Sequence, residues 1–214
     1  MVMPMQKILL RTRRLFAELV HDCSGMAATE FAMIAPLMLV LFFGVLEFSS
    51  AIAVDRKVTL VARTMADLTS QSSSVSDTDL ANFKITAQAM MTPYVSTPLA
   101  NTPLNTTITE LYIDPATSNA RVQWSKGSSP HSTSSVVAIP SNLIAKDSTG
   151  KVIAGQYLIF SEVNYLFTPA VDYAMSKAGI TFTLKDSAYT RPRQTSCVIY
   201  PTPTSGVWPA CPTL

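Results

Sequence analysis

Side chains able to do chemistry are few in this chain: two histidines, three cysteines and 14 acidic residues among 214. Neither His21 nor His131 has a metal partner at ligand spacing, so the sequence offers no metal set and calls for no cofactor. There is no Gly-x4-Gly-Lys-Ser/Thr phosphate loop, no Gly-x-Ser-x-Gly elbow, no His-Glu-x-x-His and no Cys-x-x-Cys. Ser148-Thr149-Gly150-Lys151 has the Ser-x-x-Lys spacing in which a buried, neutral lysine activates a serine, but Asp147, Ser148 and Gly150 make a better surface turn. Glu162 lies on a strand that otherwise buries aromatics, and such a carboxylate mostly faces water or pairs with an arginine. Asn105-Thr106-Thr107 has the form of a glycosylation sequon and carries little weight. The net charge of +2, with no basic stripe interleaved with aromatics, excludes nucleic acid as a partner. No catalytic residue is assigned, and the chain reads as non-enzymatic.

One junction carries more positional information. In Gly25-Met26-Ala27-Ala28-Thr29-Glu30-Phe31 a glutamate follows a glycine by five positions, an aromatic stands beside it, and an apolar run begins at once. A glycine lets an extended backbone approach a protease at a membrane surface. A carboxylate at the head of an apolar helix needs a partner or a proton once it leaves water. The rival reading is an ordinary helix start with Ser24 as its cap.

These residues need an element to hold them, and the sequence supplies it. From Phe31 to Leu46 no side chain is charged, and after Glu47 the apolar run resumes up to Asp55. About 20 apolar residues cross the hydrocarbon core of a bilayer. Residues 26–46 or 31–53 therefore each serve as one membrane-spanning helix, with Glu30 or Glu47 near an interface. Pro36 removes one backbone donor and is expected to bend it. A charged fraction of 14% points the same way, since soluble domains carry about 25%. Lys7, Arg11, Arg13 and Arg14 before the span face Arg56, Lys57 and Arg63 after it, so charge sets orientation only slightly. Ala51-Ile52-Ala53 offers a signal-peptidase site, but its leader and apolar core would be longer than the usual core of about 7–15 residues allows.

Past the span the helical period continues through Val54, Val58, Val61, Met65 and Leu68, a stripe suited to packing on its own domain. Ser76 and Asp79 form a capping signal for a second helix with Leu80, Phe83, Ala87 and Met91 on one face. Thr92-Pro93, Thr97-Pro98 and Thr102-Pro103 end that helix in an extended loop. Strands follow at 106–113 and 120–125, joined as an antiparallel hairpin by Asp114–Asn119, then at 156–168 and 179–186, with an exposed loop over 125–135. The fold class is α+β: a long N-terminal transmembrane helix continuing into a domain with an antiparallel sheet.

The junction resembles the leader junction of type IV prepilins of the tight-adherence group. Ala62-Arg63, Asp67-Leu68, Ile113-Asp114, Val122-Gln123-Trp124, the run from Glu162 to Pro169, and Arg191-Pro192-Arg193 extend the likeness to TadE/TadG-like pilus assembly proteins. Larger members carry a von Willebrand-like domain; this chain has neither the length nor an Asp-x-Ser-x-Ser run, so TadE-like is the better label. The resemblance implies a pilin-like domain, a cytoplasmic leader over 1–25, a transmembrane helix over 26–54 and a periplasmic domain over 55–214. It implies a single-pass inner-membrane protein cut by a prepilin peptidase between Gly25 and Met26, with pilin and pseudopilin helices and membrane lipid as partners. Glu30, beside Phe31, then faces the new ammonium of Met26 in a neighbouring subunit or its own and marks the axial register between helices. With Cys23 in the leader, Cys197 and Cys211 are left as two exported thiols; an oxidising compartment favours a bridge, and a loose proline-rich tail with free thiols is the alternative. The other functional reading is a permanently anchored periplasmic domain that binds a ligand, or has unrecognised activity, without entering a filament.

Intact-mass analysis of the protein from its native membrane is expected to find a chain beginning at Met26. A chain beginning at Val54 supports the secretory reading instead, and an uncut chain the permanent anchor.

Overall fold

A computed structural model of the chain describes residues 25–95, 103–169, 179, 181–203 and 211. All of the expected leader over 1–25 except Gly25, His21 and Cys23 included, lies outside them, as does the Thr97-Pro98 step. The chain divides into two units, one ending at Phe48 and one from Ser49 onward. In chain order the elements are α1 (Met26–Ser70), α2 (Asp77–Met90), β1 (Leu104–Ile113), β2 (Ala120–Gly127), β3 (Val136–Val137), β4 (Gln156–Phe167) and β5 (Phe182–Thr190).

Within the first unit α1 is a helix, with Pro36 accommodated in it, whose side chains are exposed almost throughout. The large apolar residues there, from Met26 through Phe31, Leu39 and Phe42 to Phe48, are exposed. No residue of the 18-residue window that makes α1 long and apolar enough to cross a membrane is buried.

In the second unit the same helix becomes one-sided. Val54, Val58, Val61 and Met65 are buried, as the stripe predicts, together with Ala62, Ala66, Thr69 and Ser70. Leu68 is only half-buried, and Thr69 takes the expected place in the core. A seven-residue step falls short of two turns of a 3.6-residue helix, so the stripe drifts by about 20° per heptad and the next residue rotates inward. α2 begins with the expected capping box: Asp79 N–H donates to Ser76 Oγ at 3.2 Å, and Ser76 N–H to Asp79 Oδ2 at 2.9 Å. The Ser76 hydroxyl, donating to Asp79 Oδ2 at 2.6 Å, and then the Ser76 backbone N–H hold the Asp79 carboxyl below its ordinary pKa.

The sheet is antiparallel throughout, in the order β3-β2-β1-β4-β5, with β1 at its centre. Both faces are covered, which is why β1 is buried at every position except Asn105. On one face Ile108, Trp124, Ile159, Val163 and Tyr165 pack with the buried stripe of α1. On the other, Leu111, Val122, Leu158 and Phe160 pack with Val152 and with Ile139, Leu143 and Ile144 from the β3–β4 connection. β5 starts and ends later than the expected 179–186, because the long β4 offers it partners from Phe167, opposite Phe182, to Ile159, opposite Thr190. Val136–Val137, two residues opposite Ala120 and Arg121, is too short to leave an alternating pattern in the sequence. Gly127 closes the β1–β2 ladder at φ +144°, where a Cβ would collide with the Thr106 carbonyl.

A C-terminal strap crosses this arrangement. Arg193 pairs with Asp67 and donates its backbone N–H to Ser70 O; Val75 N–H donates to Ile199 O, and Ile199 N–H to Ser73 O. A disulfide joins Cys197, which is fully buried, to Cys211, with Cα atoms 5.7 Å apart.

Two consequences are measurable. Non-reduced protein is expected to show no alkylatable thiol at Cys197 or Cys211, and Cys211→Ser to lower stability by about 3 kcal/mol, the entropic value for a loop of this length. Alkylation mapping and denaturant unfolding of the full chain in detergent check both.

Candidate functional site

Two features invite a functional reading: the bare head of α1, and a carboxylate buried under the strap. At the helix head Gly25 precedes the first residue of α1, and a Cβ built on it meets nothing within 4 Å. Met26 is 63% exposed and Phe31 69%. Glu30 is exposed and makes no hydrogen bond or ion pair among the described residues. Thr29 Oγ1 donates to Met26 O at 2.8 Å, within the first turn. The sequence-predicted residues Gly25, Met26, Glu30 and Phe31 thus lie along one helix start, all exposed. Cys197 and Cys211 belong instead to the strap, with Tyr112 and Tyr157 packed against them.

The second feature is Glu110, at the middle of β1 and 1% exposed. Its place on the α1-facing side follows from the period of two that it shares with Ile108 and Tyr112. Two donors hold it: Val198 N–H reaches Oε1 at 2.5 Å, and the Trp124 indole N–H reaches Oε2 at 2.9 Å. The same indole N–H is shared with the Val198 carbonyl at 2.8 Å. Trp124 stands opposite Glu110 because β2 carries an extra residue there, Gln123, between the partners of Glu110 and Leu111. Burial pushes the Glu110 carboxyl up to about 8, and the two hydrogen bonds offset only part of that cost. Glu110 was embedded in the expected strand 106–113 but not singled out; the signal was a carboxylate between apolar and aromatic residues on one strand face.

The remaining residues with catalytic potential are accounted for locally. Ser148 and Lys151 lie on an exposed turn organised by Asp147 Oδ1, which accepts from the backbone N–H of Thr149 at 2.8 Å and of Lys151 at 3.0 Å. Those bonds, with that of the Thr149 hydroxyl first, hold the Asp147 carboxyl below its ordinary pKa. Glu162 pairs with a histidine rather than an arginine: His131 Nε2 lies 2.6 Å from Glu162 Oε2, and His131 N–H donates to Ser125 Oγ. The polar loop after β2 folds back onto the sheet to bring this imidazole there, a long-range contact that no local pattern announces. Among the described residues no three His, Cys, Asp or Glu side chains converge as a metal site.

Among the described residues α1 is the one helix long and apolar enough to cross a membrane, and the disulfide suits an extracytoplasmic domain. Residues 25–67 match the family model described as TadE-like protein. The match opens on Gly25, takes in Glu30 and Phe31, runs through the buried stripe of α1 and closes on Asp67, the partner of Arg193. No curated protein and no solved structure matches the chain.

The position of Glu110 makes stability depend on pH with a definite sign. Its proton is bound more tightly in the folded state than at the ordinary value of 4.5, so stability is full below that value and falls as pH rises toward about 8. The slope from this group is about 1.4 kcal/mol per pH unit at most. Unfolding of the full chain in detergent at pH 5 and pH 8 is expected to show the loss, and Glu110→Gln to remove it; an identical slope in both proteins would contradict the assignment.

Proposed function

We propose that this chain, TadE-like over residues 25–67, is a non-catalytic, pseudopilin-like component of a tight-adherence pilus assembly system, held in the inner membrane by α1 with its sheet domain in the periplasm. The observation that carries the reading is the family match on a helix whose apolar membrane-length window is exposed. Apolar side chains that find no cover at home are stable in lipid or against other helices, and lateral packing with pilin and pseudopilin helices supplies the second surrounding.

The helix head fits the same role. A prepilin peptidase would cut after Gly25, and among the described residues a Cβ there meets nothing within 4 Å. The requirement for a small residue then comes from outside, from the enzyme that must bring its own groups against the backbone. Cleavage frees an ammonium at Met26. The carboxylate of Glu30, without a hydrogen bond or ion pair among the described residues, pairs with such an ammonium on a neighbouring helix. An unpaired carboxylate in apolar surroundings costs several kcal/mol or takes up a proton, so the pair stabilises one axial register over the others.

Glu30→Gln keeps the size and removes the charge. The variant is expected to insert and be cleaved normally, yet to be lost from sheared pili and from co-purified assembly components. Normal piliation and co-purification would sink the pairing model, and loss of cleavage alone would reassign Glu30 to peptidase recognition.

A further inference from the structure

Two large apolar side chains stand exposed at the end of the sheet-bearing unit where α1 enters it. Lys57 identifies that end: it donates to the carbonyls of Met90 and Thr92 and lies 5.8 Å from the centre of the Tyr94 ring, and the Tyr94 carbonyl accepts from the Tyr165 hydroxyl of β4 at 2.9 Å. There β4 and β5 run on together, with Leu166 and Phe167 beyond the last β1–β4 pair, Leu104 with Tyr165. At the other end of β5, Ala188, Tyr189 and Thr190 lie beside Arg63 to Leu68 of α1. The strand from Phe182 to Thr190 is about 26 Å long and the helix from Val54 to Asp67 about 20 Å, so the β4–β5 tip reaches back to the level at which α1 comes in. On that tip Leu166 is 45% exposed and Phe182 55%. Residues 163–169 and 181–184 carry no charge, and the next charged side chains along the two strands are Glu162 and Lys185.

Exposed apolar residues scattered singly are ordinary on a protein surface; these two differ in where they stand. An apolar span over 31–53 leaves Val54, buried in this unit, immediately past the hydrocarbon, and Lys57 about 6 Å beyond it. That is the depth of the lipid headgroups. Leu166 and Phe182 also point to opposite faces of the sheet: Phe182 stands opposite Phe167, which packs with the stripe of α1, and Leu166, one position earlier, alternates to the other side. A protein lying on one face would cover one of them, whereas a layer that takes in the end of both strands covers both. Tyr94, Arg56 and Lys57, with Asp55 among them, supply at this level the aromatic and basic groups that suit a membrane interface. We propose that the β4–β5 tip rests in the headgroup layer of the membrane that α1 crosses, with Leu166 and Phe182 seated among the lipids. This second contact fixes how the domain stands on its anchor, and it rests on the reading of α1 as a membrane span.

The test places the full chain, with labelled leucine and isoleucine methyl groups, in phosphatidylcholine nanodiscs in which part of the lipid carries a nitroxide on its headgroup or on its acyl chain. The headgroup nitroxide is expected to broaden the Leu166 methyl resonances and to leave sharp those of Ile153, which is exposed just before the far end of β4. The acyl-chain nitroxide is expected to broaden Leu39 of α1. Phe182→Glu should abolish the broadening at Leu166 without moving the Ile153 and Ile159 resonances, and Phe182→Leu should retain it. Leu39 broadened with Leu166 sharp would overturn this proposal alone, and both sharp would overturn the membrane span with it. Broadening at Leu166 that Phe182→Glu leaves unchanged would also overturn it, as would a Leu166 shift seen only in discs holding two copies, which would assign the tip to a second copy of the chain.

Discussion

Everything in the sheet-bearing unit is organised by one contact, the packing of the last four turns of α1 on the sheet. Val54, Val58, Val61 and Met65 present a continuous ridge to Ile108, Ile159 and Val163, and each side chain removed from water contributes on the order of 1.5–3 kcal/mol. The other parts attach to that helix. Lys57 donates to the carbonyls of Met90 and Thr92 at the end of α2, where unsatisfied acceptors gather. Asp67 and Ser70 hold Arg193, and the linker after α1 exchanges backbone hydrogen bonds with Ile199. Displacing the ridge would release α2 and the strap together.

Glu110 shows what the strap adds. A carboxyl group at the centre of a sheet is costly, and two aligned donors make the position tolerable without making it comfortable. One of those donors is the backbone of Val198, so the folded position of the strap and the solvation of Glu110 are a single problem. The disulfide acts at the neighbouring residue, Cys197, and limits how far the strap can leave. A hydrophobic residue at 110 would give a simpler core but would not direct Val198 and Trp124 to one place. The buried acid thus specifies the arrangement.

The same helix is built for two surroundings. From Phe31 to Leu46 it is apolar on all sides, a composition suited to lipid or to a bundle of helices. From Val54 to Ser70 it is apolar on one side only, with Arg63 exposed and Asp67 half-buried on the remainder. The TadE-like match over residues 25–67 takes in the apolar run and most of the one-sided stretch.

How much of this was written in the sequence depends on the range of the interaction. The apolar run, the stripe through Met65, the Ser76–Asp79 capping box and the β1–β2 hairpin were legible, because each rests on residues a few positions apart with a fixed period. The glycine–glutamate junction was legible for the same reason. What only the tertiary structure decided are the meetings of distant segments: Glu110 with Val198, His131 with Glu162, Arg193 with Asp67, and Lys84 and Lys126 lining one groove. Even the inward turn of Thr69 in place of Leu68 needed the sheet to say which side of the helix was in. Local order follows from the period of the backbone, whereas the partner of a buried or half-buried charge is fixed only when the chain has folded around it.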